Sequence, residues 1–161
     1  MIVIYFDTCA LVKNFHTEKG TDIISFILKN INCIFATSTL SIIEFVSTIR
    51  RKLKAHIINE EEYILCVESF IKLILDTFTI ETIDNQLIDS LMVIDEHSLK
   101  SADSIHLSTA NAFNERFNYL CEKFIFVTSD IELANAAKSD GFIVINPGVD
   151  DIKYAEFLFV K

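Results

Sequence analysis

A chain of 161 residues with 51% hydrophobic residues can bury a core of its own, without disulfides or a structural metal. Only three glycines and one proline interrupt it, which excludes a loop-rich all-β protein and favours long helices joined by short turns. The net charge of −9 counts against nucleic-acid binding, because phosphate recognition usually requires a basic surface. We expect a single domain over residues 1–161.

The apolar stretches do not predict a membrane span. A spanning helix needs about 20 mostly apolar residues, whereas the stretches 22–49 and 63–78 are interrupted by charged side chains such as Lys29, Glu44 and Glu68. No basic segment precedes the apolar run at the N-terminus, and the run is too short for a signal peptide. We therefore expect a cytoplasmic protein.

Apolar runs and helical spacing alternate along the chain. The first run is continuous and ends abruptly at Asp7, as a buried parallel strand does. Strands are predicted over residues 2–6, 33–36, 78–83, 123–128 and 142–145. Helices are predicted over 18–30, 40–54, 60–77, 85–95, 101–117, and from a cap at Ser129 or Asp130 to Gly141. The segment 152–161 has no clear pattern.

Two of these helices have apolar stripes that predict their buried faces. Thr39 is the predicted N-cap of the helix over 40–54. The stripe of that helix is Ile42, Val46, Ile49 and Leu53. The stripe of the helix over 60–77 is Ile64, Val67, Phe70, Ile71, Ile74 and Leu75.

Alternating strands and helices predict an α/β fold with a mostly parallel sheet and helices on both faces. Ligands of such sheets bind at the carboxyl ends of the strands. Asp7 and Asp130 each follow a predicted strand, so both are expected on that rim. Taken singly, each is equally well explained as a helix cap or turn residue.

Two further acids lie on predicted helices. Glu44 lies away from the apolar stripe of its helix, where an ordinary exposed glutamate is the simpler interpretation. Asp103 follows Ser101, a plausible N-cap, and the helix dipole favours a negative charge there. Its helical neighbours are apolar apart from His106, so this acid faces inward and needs a partner. His106 is interpreted as a core histidine without a catalytic role.

Four motifs in order resemble those of one family. Residues 5–13 (YFDTCALVK) resemble the opening motif of PIN-domain proteins, especially the VapC-type toxin ribonucleases. Glu44, in residues 41–44 (SIIE), matches a glutamate early in the helix after the second strand. Residues 99–110 (LKSADSIHLSTA) resemble the family's Ala-Asp-x-x-His-Leu helix, and residues 126–137 its Thr-x-Asp segment. Cys9 stands where the family commonly has serine, and the chain between Glu44 and Asp103 is long.

The resemblance implies a PIN-like three-layer sandwich with a mostly parallel sheet of four or five strands. It implies that Asp7, Glu44, Asp103 and Asp130 converge as catalytic and metal ligands for Mg²⁺, with Mn²⁺ as an alternative, and that Thr128 orients them. The implied activity is endoribonuclease cleavage of RNA by the toxin of a type II toxin–antitoxin pair. The implied partners are a small antitoxin and a second copy of the chain, for which the hydrophobic helix over 60–77 could serve.

A basic run at the end of the helix over 40–54 bears on the acidic net charge. Arg50, Arg51 and Lys54 could bind RNA phosphates beside the metal site. They are explained equally well as a solvated helix end whose cations are favoured by the helix dipole.

Two other functions remain open at this point. One is a PIN-domain nuclease of RNA processing or quality control. The other is a non-catalytic PIN-like module that only binds RNA or protein, which the intact set of four acids argues against. A receiver-like regulatory domain would need an acid pair after the first strand and a downstream lysine, and neither is found.

Overall fold

The computed structural model describes residues 1–30 and 32–159. Its strands are β1 Ile2–Phe6, β2 Cys33–Ser38, β3 Phe78–Glu81, β4 Lys123–Val127 and β5 Ile143–Ile145. Its helices are α1 Thr8–Val12, α2 Thr21–Leu28, α3 Leu40–Lys54, α4 Glu60–Thr77, α5 Gln86–His97, α6 Ser101–Phe117, α7 Ile131–Ser139 and α8 Ile152–Phe159.

The five strands form one parallel sheet in the order β3-β2-β1-β4-β5. The predicted parallel α/β sheet is therefore confirmed. Strand β1 lies in the middle, with Tyr5 opposite Ala36 on one side and Phe126 on the other. The direction of strand order reverses between β1 and β4, and that switch point is where open α/β sheets form their ligand crevice.

Side chains on the two faces of the sheet belong to separate cores. Ile4 and Phe6 of β1 point into a core with α1, α2, α3, α4 and α8. Val3 and Tyr5 point into a second core with α5, α6 and α7. The architecture is the predicted three-layer sandwich, and its continuous apolar strands follow from burial on both faces.

Several boundaries differ from those predicted. Helix α2 begins only at Thr21, because Gly20 has a φ of 91° and packs so closely against Pro147 that a side chain would not fit. Strand β3 ends at Glu81, two residues early, and β2 extends to Ser38. Helix α1 has only five residues, too few for a periodic pattern, and α8 was not predicted.

The predicted helix faces were partly wrong. Helix α3 buries Ser41, Phe45 and Ile49, a stripe rotated by one position from the predicted one. Phe45 stacks on Phe70 of α4 with ring centroids 3.7 Å apart, so contact between the helices sets this face. Helix α4 buries only Phe70 and Ile74 fully. Its predicted core residues Ile64 and Leu75 are exposed.

The predicted helix caps had mixed outcomes. Thr39 occupies the N-cap position of α3, but its side chain makes no capping hydrogen bond. Ser101 is the first residue of α6 and Lys100 its N-cap, so the predicted Ser101 cap is wrong. Asp130 caps α7 as predicted. Within the described ranges, no helix combines the length and apolarity needed to cross a membrane.

Candidate functional site

The four predicted acids line one cavity of about 590 Å³ at the carboxyl rim of the sheet. Asp7 directly follows β1, and Asp130 follows β4 at the start of α7. Glu44 lies in the first turns of α3, and Asp103 in the first turn of α6. Residues far apart in the chain therefore meet where the sheet reverses its strand order.

Asp7 is the most buried of the four, with 3% of its surface exposed. Its Oδ1 accepts from the Ala10 backbone N–H at 3.0 Å and from the Cys9 thiol at 3.0 Å. Its Oδ2 accepts from the Thr128 hydroxyl at 2.6 Å. Burial raises the pKa of the Asp7 carboxyl, although His106, Cys9 and Thr128 oppose the shift. The carboxylate is thus held rigidly in a position that disfavours its own charge.

Asp103 lacks any such support. No hydrogen bond or ion pair reaches its carboxylate from the residues that the structure describes. Burial raises its pKa to about 6, and the charges of Asp130 and Asp7 add to the shift. This acid therefore faces two like charges across the cavity.

Asp130 has a structural role as well as its place in the cavity. Its Oδ1 accepts from the Leu133 backbone N–H at 3.0 Å, which caps α7. Its own backbone N–H donates to the Thr128 hydroxyl at 3.0 Å. Thr128 therefore connects the backbone at Asp130 to the carboxylate of Asp7.

Glu44 differs from the other three acids because its carboxylate accepts a hydrogen bond from an imidazole, that of His106. Its Oε2 accepts from the Thr8 hydroxyl at 2.6 Å and from His106 Nε2 at 2.9 Å. Burial alone would raise the pKa of Glu44, but these two hydrogen bonds and nearby positive charge, that of Arg51 included, together outweigh it, and the pKa lies below its ordinary value. The ionised form of Glu44 is therefore favoured, in contrast to Asp7 and Asp103, whose pKa values are raised.

The chemistry of this set fits a divalent cation. Carboxylate oxygens are the ligands that Mg²⁺ and Mn²⁺ prefer, and no lysine or arginine of the described residues forms an ion pair with any of the four. As the side chains stand, however, the described part of the chain has no three His, Cys, Asp or Glu groups arranged to hold a metal ion. The acids share a cavity without converging on one point.

Comparison with known proteins identifies the fold. A family model described as the PIN domain matches residues 4–139. The chain belongs to the PIN domain family. No curated protein matches it in sequence.

Solved structures of similar fold cover nearly the whole PIN domain. A FitAB complex bound to the IR36 DNA fragment is 16% identical with a TM-score of 0.63, over 92% of this chain and 97% of the other. A toxin–antitoxin complex from Klebsiella pneumoniae is 20% identical with a TM-score of 0.58, over 89% and 97%. VapBC2 from Rickettsia felis, bound to a DNA fragment from its promoter, is 16% identical with a TM-score of 0.55, over 91% and 98%. At these identities the likeness shows a shared fold.

The basic residues of α3 divide between two cavities in this PIN domain. Arg51 lines the cavity of the four acids, together with Lys52. Arg50 and Lys54 instead line a second cavity where α3 meets α4. Arg50 lies 3.9 Å from Glu60 and stacks over the ring of Tyr63.

Sequence reasoning missed the hydrogen-bond donors in the site of the PIN domain. Thr8 adjoins Asp7 in the first motif, and His106 lies one helical turn after Asp103, so both were marked by position. His106 is indeed buried, with 2% exposed, but it contacts Glu44. The sequence marked Lys52 only as one residue of the basic run over residues 50–54.

Proposed function

We propose that this PIN domain is a divalent-metal-dependent endoribonuclease. The observation that carries the proposal is the shared cavity of Asp7, Glu44, Asp103 and Asp130, three of which face one another without a cationic partner among the described residues. A cavity that raises the pKa of a half-buried aspartate to about 6 by burial and like charges is one that a divalent cation would stabilise. Mg²⁺ is the proposed ion, with Mn²⁺ as the alternative.

The four acids and Thr128 would have different roles in phosphodiester hydrolysis. A divalent cation supplies charge neutralisation at the phosphate and lowers the pKa of a water nucleophile. Asp7 and Asp103 would be its principal ligands, and Glu44 and Asp130 would complete the set. Thr128 holds Asp7 so that its carboxylate needs little reorganisation on binding.

Basic side chains beside the acids would bind the substrate. Arg51 and Lys52 line the same cavity, so a phosphate next to the acids would lie within their electrostatic reach. This supports RNA binding by a chain whose net charge is −9. Arg50 and Lys54, which line the other cavity, would contribute less directly.

We propose further that the chain is the toxin of a type II toxin–antitoxin pair. One of the similar structures is a toxin–antitoxin complex from Klebsiella pneumoniae, which supports this role. Expression without a partner should arrest growth, and the antitoxin should insert a basic side chain among the four acids. A complex whose partner avoids this cavity would contradict the toxin assignment.

We also propose that the protein is a homodimer. Helix α4, the surface expected from the sequence, exposes Ile64, Leu65 and Leu75. Helix α5 exposes four apolar side chains close together, Leu87, Ile88, Leu91 and Met92. Sedimentation equilibrium of Leu65→Lys and Leu91→Lys should identify the helix involved, and a monomeric wild-type protein would contradict the proposal.

One observation favours a second function, a non-catalytic PIN-like module that binds RNA or protein. Within residues 1–30 and 32–159, the acids are not arranged as a finished metal site. Titration with Mg²⁺ followed by calorimetry separates the two functions. No heat of binding would favour the non-catalytic module.

Cleavage by the Asp103→Asn protein tests the proposed enzyme. The substitution keeps the size of the side chain and removes its charge, so we expect a folded protein that no longer cleaves RNA. Asp89→Asn is the matched control, because Asp89 also lies in the first turn of a helix but is exposed outside the cavity. RNA ends sequenced after induced expression should show new cuts with wild type and Asp89→Asn. Unchanged cleavage by Asp103→Asn would reject the mechanism.

A further inference from the structure

A buried series of hydrogen-bonded polar side chains connects the sheet to Glu44. His106 lies in the middle of this series, and 2% of its surface is exposed. Its Nδ1 lies 3.1 Å from the Tyr5 hydroxyl and 3.4 Å from that of Ser38. Its Nε2 lies 2.9 Å from Glu44 Oε2. The imidazole thus joins a core strand to an acid of the cavity.

Counting protons fixes the direction of these hydrogen bonds. An ionised carboxylate only accepts, so His106 Nε2 must carry a proton in order to bond Glu44. In a neutral imidazole Nδ1 is then an acceptor, and the Tyr5 hydroxyl can donate to it. The Thr8 hydroxyl donates to the same oxygen, Glu44 Oε2. Two donors therefore converge on one oxygen of the carboxylate.

The other oxygen of Glu44 is left for the cavity. No hydrogen bond to Oε1 is made by the part of the chain that the structure describes. Two donors from different elements hold Oε2 in place, and the donor atoms themselves, Thr8 Oγ1 and His106 Nε2, lie 3.3 Å apart. Thr8 belongs to α1 and His106 to α6.

We propose that His106 is a positioning residue, which through its Nε2–H fixes the Glu44 carboxylate so that Oε1 alone faces a cation in the cavity. The expected effect of His106 on metal binding rests on the proposed metal-dependent function. The hydrogen bond between His106 and Glu44 does not depend on that function. Groups that orient a metal-binding side chain in this way typically change metal affinity about 10–100-fold when removed.

The proton on Nε2 is tested first, in metal-free wild-type protein. Long-range ¹H–¹⁵N spectra at pH 8 distinguish a protonated from an unprotonated Nε2. We expect the proton on Nε2. An unprotonated Nε2 would overturn the proposal, whether or not the protein binds metal. This readout also decides the matter if a substituted protein fails to fold.

Mn²⁺ affinity, measured by calorimetry, tests the positioning role. His106→Leu should bind Mn²⁺ about 10–100-fold more weakly than wild type, and His106→Gln, which restores an N–H donor, should recover most of that loss. His97→Leu is the matched control, since His97 pairs with Asp140 at 2.8 Å outside the cavity, and it should bind Mn²⁺ as wild type does.

Equal affinity for wild type and a folded His106→Leu protein would overturn the proposal, as would a Gln variant as weak as the Leu variant. Failure of the proposed function has a different signature. Wild type itself would then give no heat with Mn²⁺, while the spectra would still report whether His106 Nε2 carries the proton.

Discussion

The two sides of the acidic cavity differ in how the negative charge of a carboxylate is compensated. On one side, Thr8 and His106 donate to the carboxylate of Glu44, and these hydrogen bonds help to lower its pKa. On the other side, Asp103 faces Asp130 and Asp7, and burial with these like charges raises its pKa to about 6. The protein completes the first arrangement with its own side chains. The second becomes more stable when a proton or a cation from outside neutralises its charge.

This contrast distinguishes a structural acid cluster from a functional one. A cluster that served only the fold would neutralise all its members internally, since uncompensated buried charge costs stability. Here the protein instead holds Asp7 firmly through Thr128 and leaves Asp103 without a partner among the described residues. Positioned but uncompensated carboxylates are what a metal-dependent site requires.

Removing the support of Asp7 should have the largest effect among the predictions on this contrast. Thr128→Val is nearly isosteric and removes the donor to Asp7 Oδ2. We expect RNA cleavage to fall about 10–100-fold, because the ligand loses its orienting hydrogen bond. The rate of cleavage at saturating Mg²⁺ measures this. Thr79→Val, at an exposed position of β3, is the control, and an unchanged rate for Thr128→Val would remove Thr128 from the site.

Neutralising Asp103 should stabilise the metal-free protein. Its folded-state pKa of about 6 lies above the ordinary value, so ionisation is less favourable in the folded than in the unfolded state. Asp103→Asn should therefore raise the free energy of unfolding at pH 8 by about 1 kcal/mol. This is less than the pKa shift alone would give, because solvent screens the charge of a half-exposed side chain.

The stability gained by Asp103→Asn should depend on pH. Below the ordinary aspartate pKa the carboxyl is protonated in both states, so the gain should vanish near pH 4 and grow as pH rises through about 6. Urea unfolding at several pH values in the presence of a chelator measures it. If Asp103→Asn were less stable than wild type at pH 8, the claim that like charges repel Asp103 would be contradicted.

The smallest effect is expected for the basic residues beside the acids. Arg51→Ala and Lys52→Ala should each weaken RNA binding several-fold, with a smaller salt dependence, while Mn²⁺ affinity is preserved. Lys54→Ala is the control because Lys54 lines the other cavity. Filter binding at two salt concentrations measures this, and equal losses for all three variants would indicate a diffuse basic surface instead.

The sequence predicted the sheet and its acidic rim because these depend on local patterns. Strands β1 and β4 are continuous apolar runs apart from Lys123 at the start of β4, with Asp7 directly after the first and Asp130 three residues after the second. Parallel strands place their carboxyl ends together, so proximity in space followed from topology. The order of motifs then added Glu44 and Asp103, which helical position alone left as ordinary acids.

The sequence could not predict contacts that depend on how the layers pack. Thr8 and Glu44 are separated by 36 residues, and Tyr5 and His106 by 101. Their hydrogen bonds require α1, α3 and α6 to meet at one end of the sheet. The buried face of α3 likewise depends on where α4 lies, which the periodicity of α3 alone does not contain.

Calorimetric titration of wild type and Asp103→Asn with Mn²⁺ tests the central claim most directly. Uncompensated carboxylates predict that wild type binds the ion with a measurable heat, and that loss of one charge weakens or abolishes it. Because the pKa of Asp103 is about 6, binding at pH 6 should also release protons from wild type. A wild-type protein that takes up no divalent ion, or binds it equally well without the Asp103 charge, would contradict the account.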